Sequence, residues 1–174
     1  MTKYIFGFLL LFSLVGAHAQ ETSIKIGEIP PKFNFTLLNP ISVDTLQLEE
    51  LKDQVVILDF WATWCSPCAK ALPKLNEMYN KYQDKGVQFL GINIDSQKND
   101  AKIKPFVKTY QILYPVLKDP NSQLASRLNV TNIPTLLIVN SENEVVYRHQ
   151  GYRFGDEKII EEEILKILGE PMNE

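Results

Sequence analysis

Cysteine and histidine are almost missing from this chain of 174 residues, which has two of each. That scarcity excludes several classes of protein. A structural zinc site takes four ligands, chiefly cysteine and histidine, and apart from His18 near the N-terminus only Cys65, Cys68 and His149 could supply those. A covalent haem site needs histidine directly after the second cysteine of a pair, and Ala69 stands there. A small fold stapled by several disulfides is excluded too. Charge is equally unassertive: 18 basic against 21 acidic residues leave a formal net charge of −3, with no basic cluster. Such a balance gives no electrostatic reason to bind nucleic acid or an anionic membrane surface. Internal repeats, low-complexity tracts and an interdomain linker are all absent.

Long apolar runs are also lacking, with one short exception. Tyr4 to Val15 is almost wholly apolar, follows Lys3, and leads to Gly16-Ala17-His18-Ala19. It falls short of the ~20 residues of a membrane span and has the form of a secretory signal peptide with an Ala-x-Ala cleavage site. The expected organisation is a signal peptide at 1–19 and a single domain at 20–174, long enough for its own core. The alternative is an uncleaved segment that tethers the domain to the membrane. A lipid-modified cysteine is excluded, because no cysteine lies near the cleavage site.

Both cysteines sit in Trp64-Cys65-Ser66-Pro67-Cys68, between an apolar run, Val55 to Trp61, and a stretch of helical periodicity. A loop of two residues constrains too little chain to stabilise a fold of this size. At a helix N-terminus, by contrast, free N–H groups and the partial positive charge favour a thiolate. The pair therefore reads as a redox couple that opens and closes.

Around it the pattern alternates. Val55–Trp61 and Val87–Ile94 read as strands buried on both faces. Ala71, Leu72, Leu75, Met78, Tyr79 and Tyr82 recur at helical spacing, with Pro73 inside the helix and Gly86 ending it. Ile103, Phe106, Val107 and Tyr110 mark a second helix, Tyr114–Leu117 an extended piece, and Leu124, Ala125 and Leu128 a third helix. Thr135–Asn140 and Val145–His149 form a hairpin, and Ile160, Ile164, Ile167 and Leu168 line a last helix whose Glu161-Glu162-Glu163 run faces solvent. Upstream, Phe33–Leu37 alternates like a half-buried strand, and Thr45–Leu51 reads as a short strand and a helical turn. The fold class is α/β, a mixed sheet flanked by helices.

Taken together, Leu58-Asp59-Phe60-Trp61-Ala62-Thr63-Trp64-Cys65 through Cys68, Pro73, and Asn132-Ile133-Pro134-Thr135 resemble the thioredoxin superfamily. The apolar leader, the extra Phe33-to-Leu51 region and the additional residues between Asp95 and Pro120 resemble its exported TlpA/ResA-like thiol–disulfide oxidoreductases. The likeness covers about residues 28–168. It implies a thioredoxin fold with an N-terminal β extension and a central insertion, and no cofactor beyond the Cys65–Cys68 disulfide. It also implies that Cys65 attacks a partner disulfide and Cys68 resolves the mixed disulfide. Trp64 flanks the reactive sulfur, Ser66 and Pro67 set the turn, and Ile133 with a cis-Pro134 faces the partner. Asp59, the one ionisable residue in its strand, matches the superfamily's buried acid that exchanges a proton with the resolving cysteine. Two departures stand out: Gly91 occupies the place of a lysine common in cytosolic thioredoxins, and Ser66 that of a Glu carried by several ResA-like proteins. Asp59 is thus expected to lack a charged partner and to have a raised pKa.

The expected activity is an exported, monomeric reductant of protein disulfides, in the periplasm or another extracytoplasmic space, recharged by a membrane electron donor. Strong oxidants of the superfamily favour a histidine between the cysteines, and Ser66-Pro67 supplies no such charge. A disulfide-forming oxidant, a thiol peroxidase and a non-enzymatic binding module stay as alternatives. Against the peroxidase, position 62 is Ala where such enzymes carry Thr or Ser, and no proline precedes Cys65 in that strand.

Overall fold

In the computed structural model, residues 54–142 and 144–170 are described. The expected signal peptide, the Phe33–Leu37 strand and the Thr45–Leu51 segment lie outside them. The described chain alternates strand and helix: β1 (Val55–Trp61), α1 (Ser66–Tyr82), β2 (Val87–Asn93), α2 (Asp100–Thr109), β3 (Val116–Lys118), α3 (Gln123–Arg127), β4 (Thr135–Val139), β5 (Val145–Gln150) and α4 (Asp156–Leu168). The strands form one sheet in the order β3-β2-β1-β4-β5. β1 pairs in parallel with β2, and β2 with β3, while β4 runs antiparallel to both β1 and β5. The Asp95–Pro120 region is built into this sheet, since it supplies α2 and the edge strand β3.

Central β1 is buried at all seven positions, and its side chains alternate between two cores. Val56, Leu58 and Phe60 pack with Leu90, Ile92, Leu137 and the α3 residues Leu124 and Ala125. Ile57 and Trp61 turn the other way, among Cys68, Leu72 and Leu75 of α1, Ile103 of α2 and Ile160 and Ile164 of α4. Each such large apolar side chain contributes roughly 1.5–3 kcal/mol on burial. Asp59 lies between Ile57 and Trp61 in the strand, so the same alternation directs it toward the face covered by α1.

Three local devices fix the ends of these elements. Gly86 takes φ 78° as the chain leaves the turn after α1 and enters β2, a conformation that glycine adopts without strain. Asp119 accepts hydrogen bonds from the backbone N–H groups of Gln123 (2.7 Å) and Ala125 (2.9 Å), which would otherwise be unpaired at the start of α3. Asn140 Oδ1 accepts from the N–H groups of Glu142 and Glu144 and closes the β4–β5 turn. One expectation is corrected. The Glu161–Glu163 run is not simply solvated: Glu161 Oε1 accepts from the Tyr82 hydroxyl at 2.8 Å and from Lys81 Nζ at 2.6 Å, and so ties α4 to α1.

Candidate active site

The site begins where β1 ends. After Trp61 the chain must turn sharply into α1, and Asp95, just beyond β2, holds that turn. Its carboxylate accepts from Thr63 N (2.7 Å), Thr63 Oγ1 (2.9 Å) and Asn93 Nδ2 (2.9 Å). Replacing Asp95 with alanine leaves these buried and part-buried donors unpaired and is expected to cost about 1–3 kcal/mol. Urea denaturation of the oxidised protein measures it, and an unchanged midpoint would show that the turn holds without Asp95.

Cys65 follows as the N-cap of α1, with φ −88° and ψ 98°. It is bonded to Cys68 in a disulfide whose Cα atoms lie 5.3 Å apart. The Cys68 N–H donates to Cys65 Sγ at 3.2 Å. Pro67 sits in the first turn, where its missing N–H removes no helix bond, and that turn carries no acidic residue. Nothing there opposes a negative sulfur at position 65. Both cysteines are buried, at 5 % and 2 % exposure, and Trp64 beside them is 64 % exposed. Ser66 and Pro67 are exposed as well.

The Ile133–Pro134 peptide bond is cis. Around it the Thr135 hydroxyl donates to the Asn132 carbonyl at 2.7 Å, and the Gly151 N–H to the Pro134 carbonyl at 2.8 Å. Pro67, Ile133 and Pro134 line a single groove of about 530 Å³ together with His149, Tyr152 and Arg153. The turn between the cysteines and the loop before β4, more than sixty residues later in the chain, thus converge on one surface. His149 Nε2 lies 3.0 Å from Asp156 Oδ2, which also accepts from the Arg153 N–H at 2.7 Å, so the far wall of the groove is held in place.

Asp59 lies beneath, 3 % exposed. It lines a small cavity of about 20 Å³ with Ala71, Pro134, His149 and Tyr152 among its neighbours, room for about one water molecule. Burial pushes its pKa up to about 7, partly offset by a hydrogen bond donated by the Tyr114 hydroxyl to Asp59 Oδ2 at 3.0 Å. A carboxyl group poised near neutrality can take up and release a proton under ordinary conditions.

Tyr114, Asp95 and the His149–Asp156 pair were not legible as parts of the site. Tyr114-Pro115 reads locally only as an extended piece, and no local signal links it to Asp59, 55 positions away. Asp95 offered a faint signal, a lone acid directly after a buried strand.

Comparison with known proteins decides the family. A profile of the AhpC/TSA family matches residues 26–148. The chain belongs to that family. Within it the chain is similar to the thiol–disulfide oxidoreductase ResA of Bacillus cereus, 30 % identical over 152 residues that cover 87 % of this chain and 84 % of that protein. ResA of Bacillus subtilis is 31 % identical over 128 residues, covering 74 % and 69 %. Among solved structures, one assigned as the thiol:disulfide interchange protein DsbE of Chlorobium tepidum matches with a TM-score of 0.68 and 32 % identity, over 78 % of this chain and 94 % of that one. A thioredoxin-like protein of Porphyromonas gingivalis matches with a TM-score of 0.63 and 30 % identity, over 80 % and 91 %. The fold is that of thioredoxin, and this AhpC/TSA member is a ResA-like thiol–disulfide oxidoreductase. Its substrates are protein thiols and disulfides.

Proposed function

We propose that this protein is an extracytoplasmic reductant of protein disulfides. Cys65, at the helix N-terminus, attacks a client disulfide as a thiolate and expels one client sulfur as a thiolate, which takes a proton from water. Cys68 then gives up its proton to Asp59 and attacks Cys65 Sγ. The client's second sulfur departs, takes the proton back from Asp59 to become a thiol, and Cys65–Cys68 is left oxidised. Trp64, Ser66, Pro67, Ile133 and Pro134 contact the client along the groove beside the disulfide. The redox group is the cysteine pair itself, without metal or added cofactor. The observation that carries this reading is the Cys65–Cys68 disulfide at the start of α1, with Pro67 and the cis Ile133–Pro134 bond lining the same groove.

Export rests on the apolar Tyr4–Val15 segment and the Ala-x-Ala that follows it. The protein acts as a monomer, and an external reductant must be recharged, so its partner is a membrane-borne electron donor. The direction follows from Ser66-Pro67, which places no positive charge between the cysteines to stabilise the thiolate of the reduced form.

Equilibration with redox buffers tests the direction. A potential below about −220 mV is expected for a reductant, and one near about −120 mV would make the protein a disulfide-forming oxidant. A histidine between the cysteines would stabilise the thiolate, so Ser66→His is expected to raise the potential; an unchanged potential would show that charge at this position does not set the direction.

A further inference from the structure

The inference rests on the reading of Asp59 as the group that receives the Cys68 proton, and concerns what holds that acid in place. Asp59 pairs with Gly91 in the β1–β2 register. A Cβ at position 91 would lie 3.0 Å from Trp61 Nε1, 3.1 Å from Tyr114 Cε2 and 3.4 Å from Val116 Cγ2. The space beside the acid on β2 is therefore filled by two aromatic side chains, and a longer residue at 91 would have to displace them. Tyr114 is fully buried. Its ring packs near Tyr79 of α1 and Phe89 of β2, with centroids 6.0 Å from each. The backbone is pinned as well, since the Gly91 N–H donates to the carbonyl of Pro115, the next residue, at 2.8 Å. From this fixed position the hydroxyl donates to Asp59 Oδ2 at 3.0 Å.

We propose that Tyr114 is the positioning residue for proton transfer in this enzyme: its hydroxyl holds Oδ2 of Asp59 and leaves the other carboxyl oxygen to exchange the proton with Cys68. A phenol that donates to a carboxylate stabilises the ionised acid more than the neutral one. It thereby restrains the upward pull of burial and keeps Asp59 able to change state near neutral pH. The segment between Asp95 and Pro120 that delivers Tyr114 thus tunes the site, besides completing the sheet edge.

The test isolates the step in which Cys68 attacks. Cys65 of the reduced protein attacks the symmetric disulfide of 2-nitro-5-thiobenzoate, which leaves Cys65 in a mixed disulfide and releases the other half as a thiolate in a first phase. Attack by the Cys68 thiolate on Cys65 Sγ forms the Cys65–Cys68 bond and expels the coloured thiolate, whose release is followed against pH. Tyr114→Phe keeps the ring and removes the hydroxyl. Its midpoint is expected to move upward by about one pH unit, slowing release several-fold at pH 7. In an Asp59→Asn background the same substitution is expected to change nothing. A Y114F midpoint equal to the wild-type one, with Asp59→Asn still altering the profile, overturns the role of Tyr114 alone. A profile untouched by Asp59→Asn overturns the reading of Asp59 on which it rests. An equal shift with and without Asp59 shows that Tyr114 acts by another route and likewise overturns the proposal. In the unaltered protein, the Tyr114 Cζ resonance is expected to titrate with the Asp59 carboxyl carbon at one shared midpoint. A Cζ signal indifferent to that midpoint counts against the hydrogen bond whether or not the variant folds.

Discussion

Replacing Cys68 with serine is expected to abolish multiple turnover and to leave Cys65 joined to its client through a mixed disulfide. The first exchange needs only the Cys65 sulfur, which sits at the N-cap of α1 and accepts the Cys68 N–H at 3.2 Å. Release of the client needs a second sulfur held within bonding reach, and only position 68 supplies one. A serine hydroxyl is not nucleophilic enough toward a disulfide to replace it. Cys65→Ser, in contrast, is expected to give neither turnover nor adduct. Insulin reduction followed by turbidity reads the first effect, and non-reducing electrophoresis with mass spectrometry reads the second. If C65S trapped clients and C68S did not, the two roles would be reversed. If both variants kept full activity, the chain would act as a binding module with incidental cysteines.

Asp59→Asn should change the dependence of both stability and rate on pH. Burial raises the acid from 3.8 to about 7 in the folded state, so folding takes up a proton. Below pH 4 both folded and unfolded forms are neutral, and the ionisation term vanishes. As the pH rises from 4 to 7 the unfolded chain ionises freely while the fold keeps the acid neutral, and stability falls. Above pH 7 the folded state carries the buried charge and the loss levels off. At about 1.4 kcal/mol per unit, the shift from 3.8 to about 7 gives an upper bound on the order of 4 kcal/mol. Asparagine can still accept from Tyr114, but its amide lacks an assured partner, which costs about 1–3 kcal/mol at every pH. The quantity to measure is therefore the stability of the variant minus that of the wild type, by denaturation of the oxidised proteins at pH 4.5 and 8.5. It should swing by several kcal/mol in favour of the variant. A constant difference would mean that Asp59 does not titrate in this range. Reduction of insulin near pH 7 should also slow at least tenfold, in line with the loss of a proton acceptor.

The element order and the redox pair were readable because they rest on local periodicity and short-range spacing. The continuous apolar run Val55–Trp61 suits a strand covered on both sides, and Trp64–Cys68 suits a turn into a helix with two thiols in its first residues. The lone acid in that run announced itself as well, since a carboxyl group among buried neighbours is costly unless it serves a purpose. The Glu161–Glu163 run misled because an acidic helix face looks the same whether it meets water or, as Glu161 does, a tyrosine and a lysine on another helix.

The sequence by itself determined the chemistry: two cysteines, a helix to activate them, a buried acid and a proline before the fourth strand. The tertiary structure alone decided what surrounds that acid. Pairing of β1 with β2 sets Gly91 opposite Asp59, and the edge strand β3 brings Tyr114 into the space that glycine leaves. Sheet register is a long-range property, fixed when distant strands bury their faces together, and no window of neighbouring residues contains it. The partner of the acid, and with it the pH range in which Asp59 changes its protonation state, is therefore a consequence of packing.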